Sequence, residues 1–327
     1  MKKFLKIYLQ KPELAGVVLL VLLTVLFQAR SGAVFLSAEN LRGILGILPE
    51  MGLVAIGVTI LMICGEFDLS VGSVFALTPM AIAIMLNADV PFPVATLIGL
   101  ALAALIGFIN GYITLKFAIP SFITTLGMLF IARSLTVVIS GGFPPLLPAE
   151  LPTWLLTQYV GPGSLIRMSF IWFVGIGFLT ASLLSLTNFG NWIKATGGFI
   201  EAAGAMGIPV SRVKIGCFML CSILAGFAGL IQVLRLGSPL PSIGEGMELQ
   251  AVAAAVIGGT SLTGGIGTVL GAVIGALLIR VIDNGLVLIQ VDANWFKFAI
   301  GALTILAVVA NSWLGRTARS IKLETKA

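Results

Sequence analysis

Histidine is absent from the 327 residues, which removes Ser-His and Cys-His nucleophile pairs and imidazole metal sites together. Cysteine is scarce, and Cys64, Cys217 and Cys221 all lie in apolar stretches, where buried thiols are a simpler reading than bridges or metal ligands. Charge is scarcer still. Asp, Glu, Lys and Arg make up 10% of the chain against about 25% in a soluble domain, too little polar surface to solvate a globule of this size. Nowhere does Gly, four residues, Gly-Lys-Ser/Thr occur, so the chain has no P-loop and cannot supply its own nucleotide motor. No basic run interleaved with aromatics exists either, and the net charge of +6 therefore points to cytoplasmic loops of a membrane protein rather than to nucleic acid.

Apolar residues are abundant. They form 58% of the chain, joined by 39 glycines, and the mean hydropathy is +1.12. A polytopic all-α membrane protein is the reading that fits, and a soluble enzyme, a disordered chain or a disulfide scaffold is not. Ten apolar segments, bounded by charge or by Pro/Gly clusters, run approximately 14–29, 47–64, 70–88, 93–113, 117–140, 167–186, 213–236, 249–262, 265–285 and 295–313. Each is a transmembrane helix candidate, because a segment in lipid must satisfy its own backbone. The start, MKKFLKIYLQKPE and an apolar run from Leu14, also resembles a secretory signal; nine further segments favour an uncleaved first helix.

Orientation follows from the cations. Lys2, Lys3, Lys6 and Lys11, Lys116, Lys194, Arg212 and Lys214, and Arg316, Arg319, Lys322 and Lys326 fall on one side, twelve of 19 in all, which predicts both termini in the cytoplasm. The chain then reads as one transmembrane domain, 1–327, with two long loops. Residues 141–166, with five prolines and aromatic side chains, form an ordered extracytoplasmic loop. Residues 187–212 form a cytoplasmic loop in which GFIEAAGAMGIPVSRVK reads as a short amphipathic helix ended at Gly207-Ile208-Pro209.

Two polar, glycine-rich interruptions stand out: Gly65-Glu66-Phe67-Asp68-Leu69-Ser70-Val71-Gly72-Ser73, and Gly258-Gly259-Thr260-Ser261-Leu262-Thr263-Gly264-Gly265. They are either helix breaks at membrane depth, of the kind that mark transport routes, or tight cytoplasmic turns. Asp68 or Ser70 can cap the helix that follows the first. Small residues recur every four positions at Ala103, Gly107 and Gly111 and at Gly267, Gly271 and Gly275, as helices packed closely within one subunit require. Among ionisable residues in the segments, Arg280 and Asp283 are spaced as a structural ion pair. Arg133 has no local partner, so it meets either a partner inside the bundle or a substrate-facing cavity. Asp283 is the only clear acid well inside a segment, which weighs against a carrier driven by a cation gradient.

Together these residues resemble the membrane permease subunits of bacterial ABC importers for monosaccharides, the ribose, xylose, arabinose, galactose and autoinducer-2 class. Asp68-Leu69-Ser70-Val71-Gly72-Ser73 is similar to the family's DLSVGS. Asn110-Gly111, ending the fourth helix, is similar to its ING, and Pro120-Ser-Phe-Ile-Thr-Thr125-Leu126-Gly127 with Arg133 to its P-x-F-I-x-T-L-G…R segment. Glu201, Ala202, Ala203 and Gly204 through Gly207, Ile208 and Pro209 resemble its cytoplasmic coupling segment; Gly258, Gly259, Thr260, Ser261 and Leu262 to Gly264 and Gly265 resemble its GGTSL-x-GG run. Gly65-Glu66-Phe67 stands where the family commonly has Gly-Gly-Ile, Ile266 where an Arg is frequent, and Gly204 where a larger side chain is common.

The resemblance implies a transport subunit that is not an enzyme, holding no cofactor or metal of its own, with ATP and magnesium on a separate cytoplasmic ATPase. It implies a second permease subunit, identical or paralogous, a periplasmic binding protein, and a location in the bacterial inner membrane. Glu201 becomes a docking contact for the ATPase rather than a catalytic acid. The substrate implied is a monosaccharide or small polyol; a branched-chain amino acid or nucleoside importer is the nearest alternative, and a gradient-driven carrier a more distant one.

Overall fold

The computed structural model describes residues 13–148, 151–161, 163–292 and 294–324, with side chains to residue 309. The cations at 2–11 and at 326, and the side chains of Arg316, Arg319 and Lys322, lie outside that description. Twelve helices follow one another in the described residues: α1 (Glu13–Arg30), α2 (Ala38–Ile63), α3 (Val71–Asn87), α4 (Phe92–Lys116), α5 (Ser121–Ile139), α6 (Met168–Leu186), α7 (Asn188–Gly198), α8 (Ile200–Ala205), α9 (Val210–Leu236), α10 (Met247–Ile257), α11 (Val269–Leu288) and α12 (Asn294–Glu324). Seven of them, α1, α2, α4, α5, α6, α9 and α11, are long and apolar enough to cross a membrane. α3, α10 and the Asn294–Val309 part of α12 are shorter apolar helices, so each apolar segment of the sequence falls on one helix.

Local chemistry sets the boundaries. Ser37 caps α2 by accepting the Asn40 N–H, which starts that helix nine residues ahead of the apolar run that begins at 47. Prolines precede α4 and α5, and Gly237, at φ +83°, closes α9 in the left-handed conformation that a Cβ would strain. Pro49 and Pro79 sit within α2 and α3, tolerable because both helices are enclosed by neighbours. Asn110 and Gly111 are interior to α4, which continues to Lys116, and so do not end it.

Burial sorts the helices into layers. In the most apolar window of α2, 89% of residues are buried, against 11% in α1, so α2 is central and α1 peripheral. α9 packs on α2, α3 and α4, and α11 on α1, α2 and α10. The small-residue stripes serve these contacts inside the subunit. A Cβ at Gly107 would strike the Phe218 carbonyl of α9, and one at Gly275 the Ala254 carbonyl of α10. Cys64, Cys217 and Cys221 are free and buried.

The loop at 141–166 is tied down where it is described. Ser238 Oγ donates to the Pro145 carbonyl at 3.0 Å, Trp172 Nε1 to Leu155 at 3.0 Å, and Tyr159 pairs with Arg167 across an isolated bridge. The 187–212 loop holds two helices, not one. α7 and α8 meet at the extended residue Phe199, and α8 ends before Gly207, whose φ of +80° lets the chain turn into α9.

Candidate functional site

The first interruption is interior. After Gly65, at φ +86°, residues 66–70 run irregularly beside the opening turns of α5, whose hydroxyls take the place of missing backbone partners. Phe67 N–H donates to Ser121 Oγ and Leu69 N–H to Thr125 Oγ1, both at 3.1 Å, while Ser73 Oγ donates to the Leu129 carbonyl at 2.8 Å. Asp68 is wholly buried, and its Oδ1 accepts from the Ser70 N–H at 2.8 Å and the Ser70 hydroxyl at 2.6 Å. From α4, Asn110 donates to Ser70 Oγ at 2.9 Å and lies 3.4 Å from Asp68 Oδ2. Thus Asp68, Ser70, Asn110 and Thr125, distant in sequence, form one polar cluster. Ser70 does occupy the N-cap of α3, yet its hydroxyl makes no capping bond: it donates to Asp68 and accepts from Asn110 instead.

Arg133 finds its partners in a third interruption that reads from sequence as a plain connection. Residues 237–246, between α9 and α10, carry Pro239 and Pro241 with Gly237, Gly244 and Gly246. Arg133 Nη1 donates to the Pro241 and Ile243 carbonyls at 2.6 and 2.9 Å, and Nη2 to the Gly72 carbonyl at 3.1 Å. One guanidinium thus clamps the start of α3 to the 237–246 segment. Gly72 permits the contact: a Cβ there would meet the Gly244 carbonyl and the Glu248 carboxylate.

The second interruption differs from the first. It is a partly exposed turn, with Leu262 and Ile266 outward and Gly259, Gly264 and Gly265 at positive φ. Ser261 N–H bonds the Ile266 carbonyl at 2.9 Å, and Thr260 is buried. Gly258, Gly259, Thr260, Ser261, Gly264 and Gly265 therefore stand apart from the Asp68 cluster. They meet the end of α2 and the 187–212 loop instead: Gly265 N–H donates to the Ile63 carbonyl at 2.8 Å, and a Cβ at Gly197, near the end of α7, would strike that carbonyl and the Gly265 nitrogen.

On α8, Glu201, Ala202 and Gly204 are exposed and Ala203 is buried. Phe199 and Met206 flank them at 77% and 83% exposure, a prominent apolar rim around one carboxylate. Ile208 is half-buried and its N–H returns to the Ala203 carbonyl at 3.1 Å, closing α8, while the Pro209 carbonyl accepts from Val213 and opens α9.

A family model described as "Branched-chain amino acid transport system / permease component" matches residues 40–308. The chain belongs to that family. It is 38% identical over 281 residues to the ribose import permease protein of Escherichia coli K12, covering 84% of this chain and 86% of the relative. With the xylose/arabinose import permease protein of Sulfolobus acidocaldarius it shares 34% over 312 residues, 92% of this chain and 85% of the other. With the autoinducer 2 import system permease protein of Photorhabdus luminescens it shares 36% over 264 residues, 79% and 76% of the two chains. No solved structure matches the chain. The protein is a multi-pass membrane permease component of an ABC importer, a transport subunit rather than an enzyme.

This permease also contains ionic partners that segment counting passes over. Asp283 is not the only acid within a span: Glu50, midway along α2 and 1% exposed, takes a bidentate grip from Arg235 of α9 at 2.6 and 3.1 Å. Arg280 and Asp283 do pair, at 3.4 Å. Lys214 of α9 bonds Glu66, both buried. Polar residues amid apolar runs are the sequence signal for Glu50 and Arg235; their pairing across 185 positions is not written locally.

Proposed function

We propose that this permease carries a monosaccharide or related small polyol across the bacterial inner membrane by alternating access, driven by a separate ATPase that holds ATP and magnesium. The seven long helices and three shorter apolar ones supply ten crossings, with both termini cytoplasmic. Residues 141–166 then face a periplasmic binding protein, and 187–212 face the ATPase. A second permease, identical or paralogous, completes the pathway. The Asp68, Ser70, Asn110 and Thr125 cluster, with Ser73, Gly72 and Arg133, belongs to the moving part beside that pathway, since irregular backbone within a bundle is where transporter helices flex.

The observation that carries this reading is α8: an exposed carboxylate flanked in the chain by exposed Phe199 and Met206, between α7, whose Gly197 meets Gly65 and Gly264, and α9. An apolar rim with a central charge suits a docking groove on a soluble partner. The names of the relatives, for ribose, xylose/arabinose and autoinducer 2, favour sugars over the branched-chain amino acids of the family description.

The test is uptake in vesicles containing the permease, its ATPase and its binding protein. Glu201→Lys is expected to lower ATP-dependent uptake at least fivefold while membrane insertion is unchanged; full uptake counts against the docking role. Competition by unlabelled pentoses but not by leucine is expected. The reverse result assigns the alternative substrate class.

A further inference from the structure

The buried pair of Glu66 and Lys214 joins two regions whose relative motion transport requires. Lys214 lies in the second turn of α9, and only residues 206–209 separate that helix from α8, Ile208 N–H closing α8 on the Ala203 carbonyl and Val213 N–H opening α9 on the Pro209 carbonyl. Glu66 lies two residues ahead of Asp68, on the irregular stretch that α5 holds through Ser121 and Thr125. The side chains are 10% and 11% exposed, and the ammonium is hydrogen-bonded to Oε1.

We propose that the Glu66–Lys214 pair is the positioning link through which movement of α8 is transmitted to the interruption at 66–70. The inference rests on the reading of α8 as the ATPase-docking element. α9 also packs on α2 and α3, and Gly65, Gly197, Gly264 and Gly265 meet closely, but these contacts are chiefly van der Waals, which resist compression more than separation. A desolvated ion pair resists separation as well as compression, because parting it leaves two uncompensated charges. With the pair intact, the Asp68 segment follows α9 inward and outward; without it, the segment follows more weakly in the direction of separation.

The experiment compares Glu66→Gln, Lys214→Met and the exchanged pair Glu66→Lys with Lys214→Glu in the reconstituted complex, reading sugar taken up per ATP hydrolysed. Both single variants are expected to lower that ratio threefold or more while ATP hydrolysis continues, and the exchanged pair to return it to at least half of the native value. A merely structural pair would lower yield, uptake and hydrolysis together and leave the ratio unchanged. An unchanged ratio in the single variants, or an exchanged pair as poorly coupled as they are, overturns the proposal. Where Glu66→Gln does not accumulate, Glu66→Asp retains the charge but shortens the reach, and the same threefold fall is expected. If the unaltered complex shows no ATP-dependent uptake, the docking reading itself fails, an outcome separate from unchanged coupling in the variants.

Discussion

Asp68 shows how much a single buried acceptor organises. Its carboxylate receives the Ser70 N–H and hydroxyl and stands beside the Asn110 amide, and no cation pairs with it among the described residues. Asp68→Ala would orphan these donors at about 1–3 kcal/mol each, not fully additive. Asp68→Asn keeps an acceptor for the Ser70 N–H and hydroxyl and loses only the weak 3.4 Å contact with the Asn110 amide. Thermal unfolding in detergent is therefore expected to show Asp68→Ala destabilised by about 2–4 kcal/mol and Asp68→Asn by under about half of that; equal losses would sink the assignment. That Asp68, Thr125 and Arg133 are special was legible in the sequence, as polar groups amid apolar ones. Their partners were not, because Ser121 and Asn110 lie 54 and 40 positions from the residues they bond, and burial alone decides who meets.

Among elements, the 237–246 segment depends on Arg133. A planar guanidinium reaches three carbonyls on two elements; an ammonium is a compact point charge on a flexible stem and cannot hold the same fork. Arg133→Lys is expected to insert normally yet lose at least tenfold in uptake in vesicles, and full uptake would deny the clamp any role. Two prolines and three glycines in this segment read from sequence as a plain connection, without the polar run that marked the other two interruptions. In the 187–212 loop the short helix ahead of Gly207 was legible, but α7 before it was not. α4 shows the reverse case: Asn110-Gly111 reads as a terminus, whereas contact with Ile215 and Phe218 of α9 makes Gly111 an interior packing residue.

For the whole molecule, the proposed topology makes a prediction of its own. Cysteines substituted at Leu146, 78% exposed, and at Met206, 83% exposed, test it against a quiet background, because the three native thiols are buried. A membrane-impermeant maleimide is expected to label the first in intact cells and the second only after permeabilisation; labelling of both from one side would overturn the topology. The sequence by itself determined a polytopic helical bundle and the place of nearly every helix, because lipid leaves an apolar segment of about 20 residues no other way to satisfy its backbone. It also marked two interruptions that looked alike. Only the tertiary structure separated them: the one at 66–70 is buried because α5 presents hydroxyls at the spacing its backbone needs, while the one at 258–265 remains a turn at the rim against Gly197. Whether irregular backbone becomes interior depends on hydrogen-bond partners from remote helices, and no local pattern encodes those.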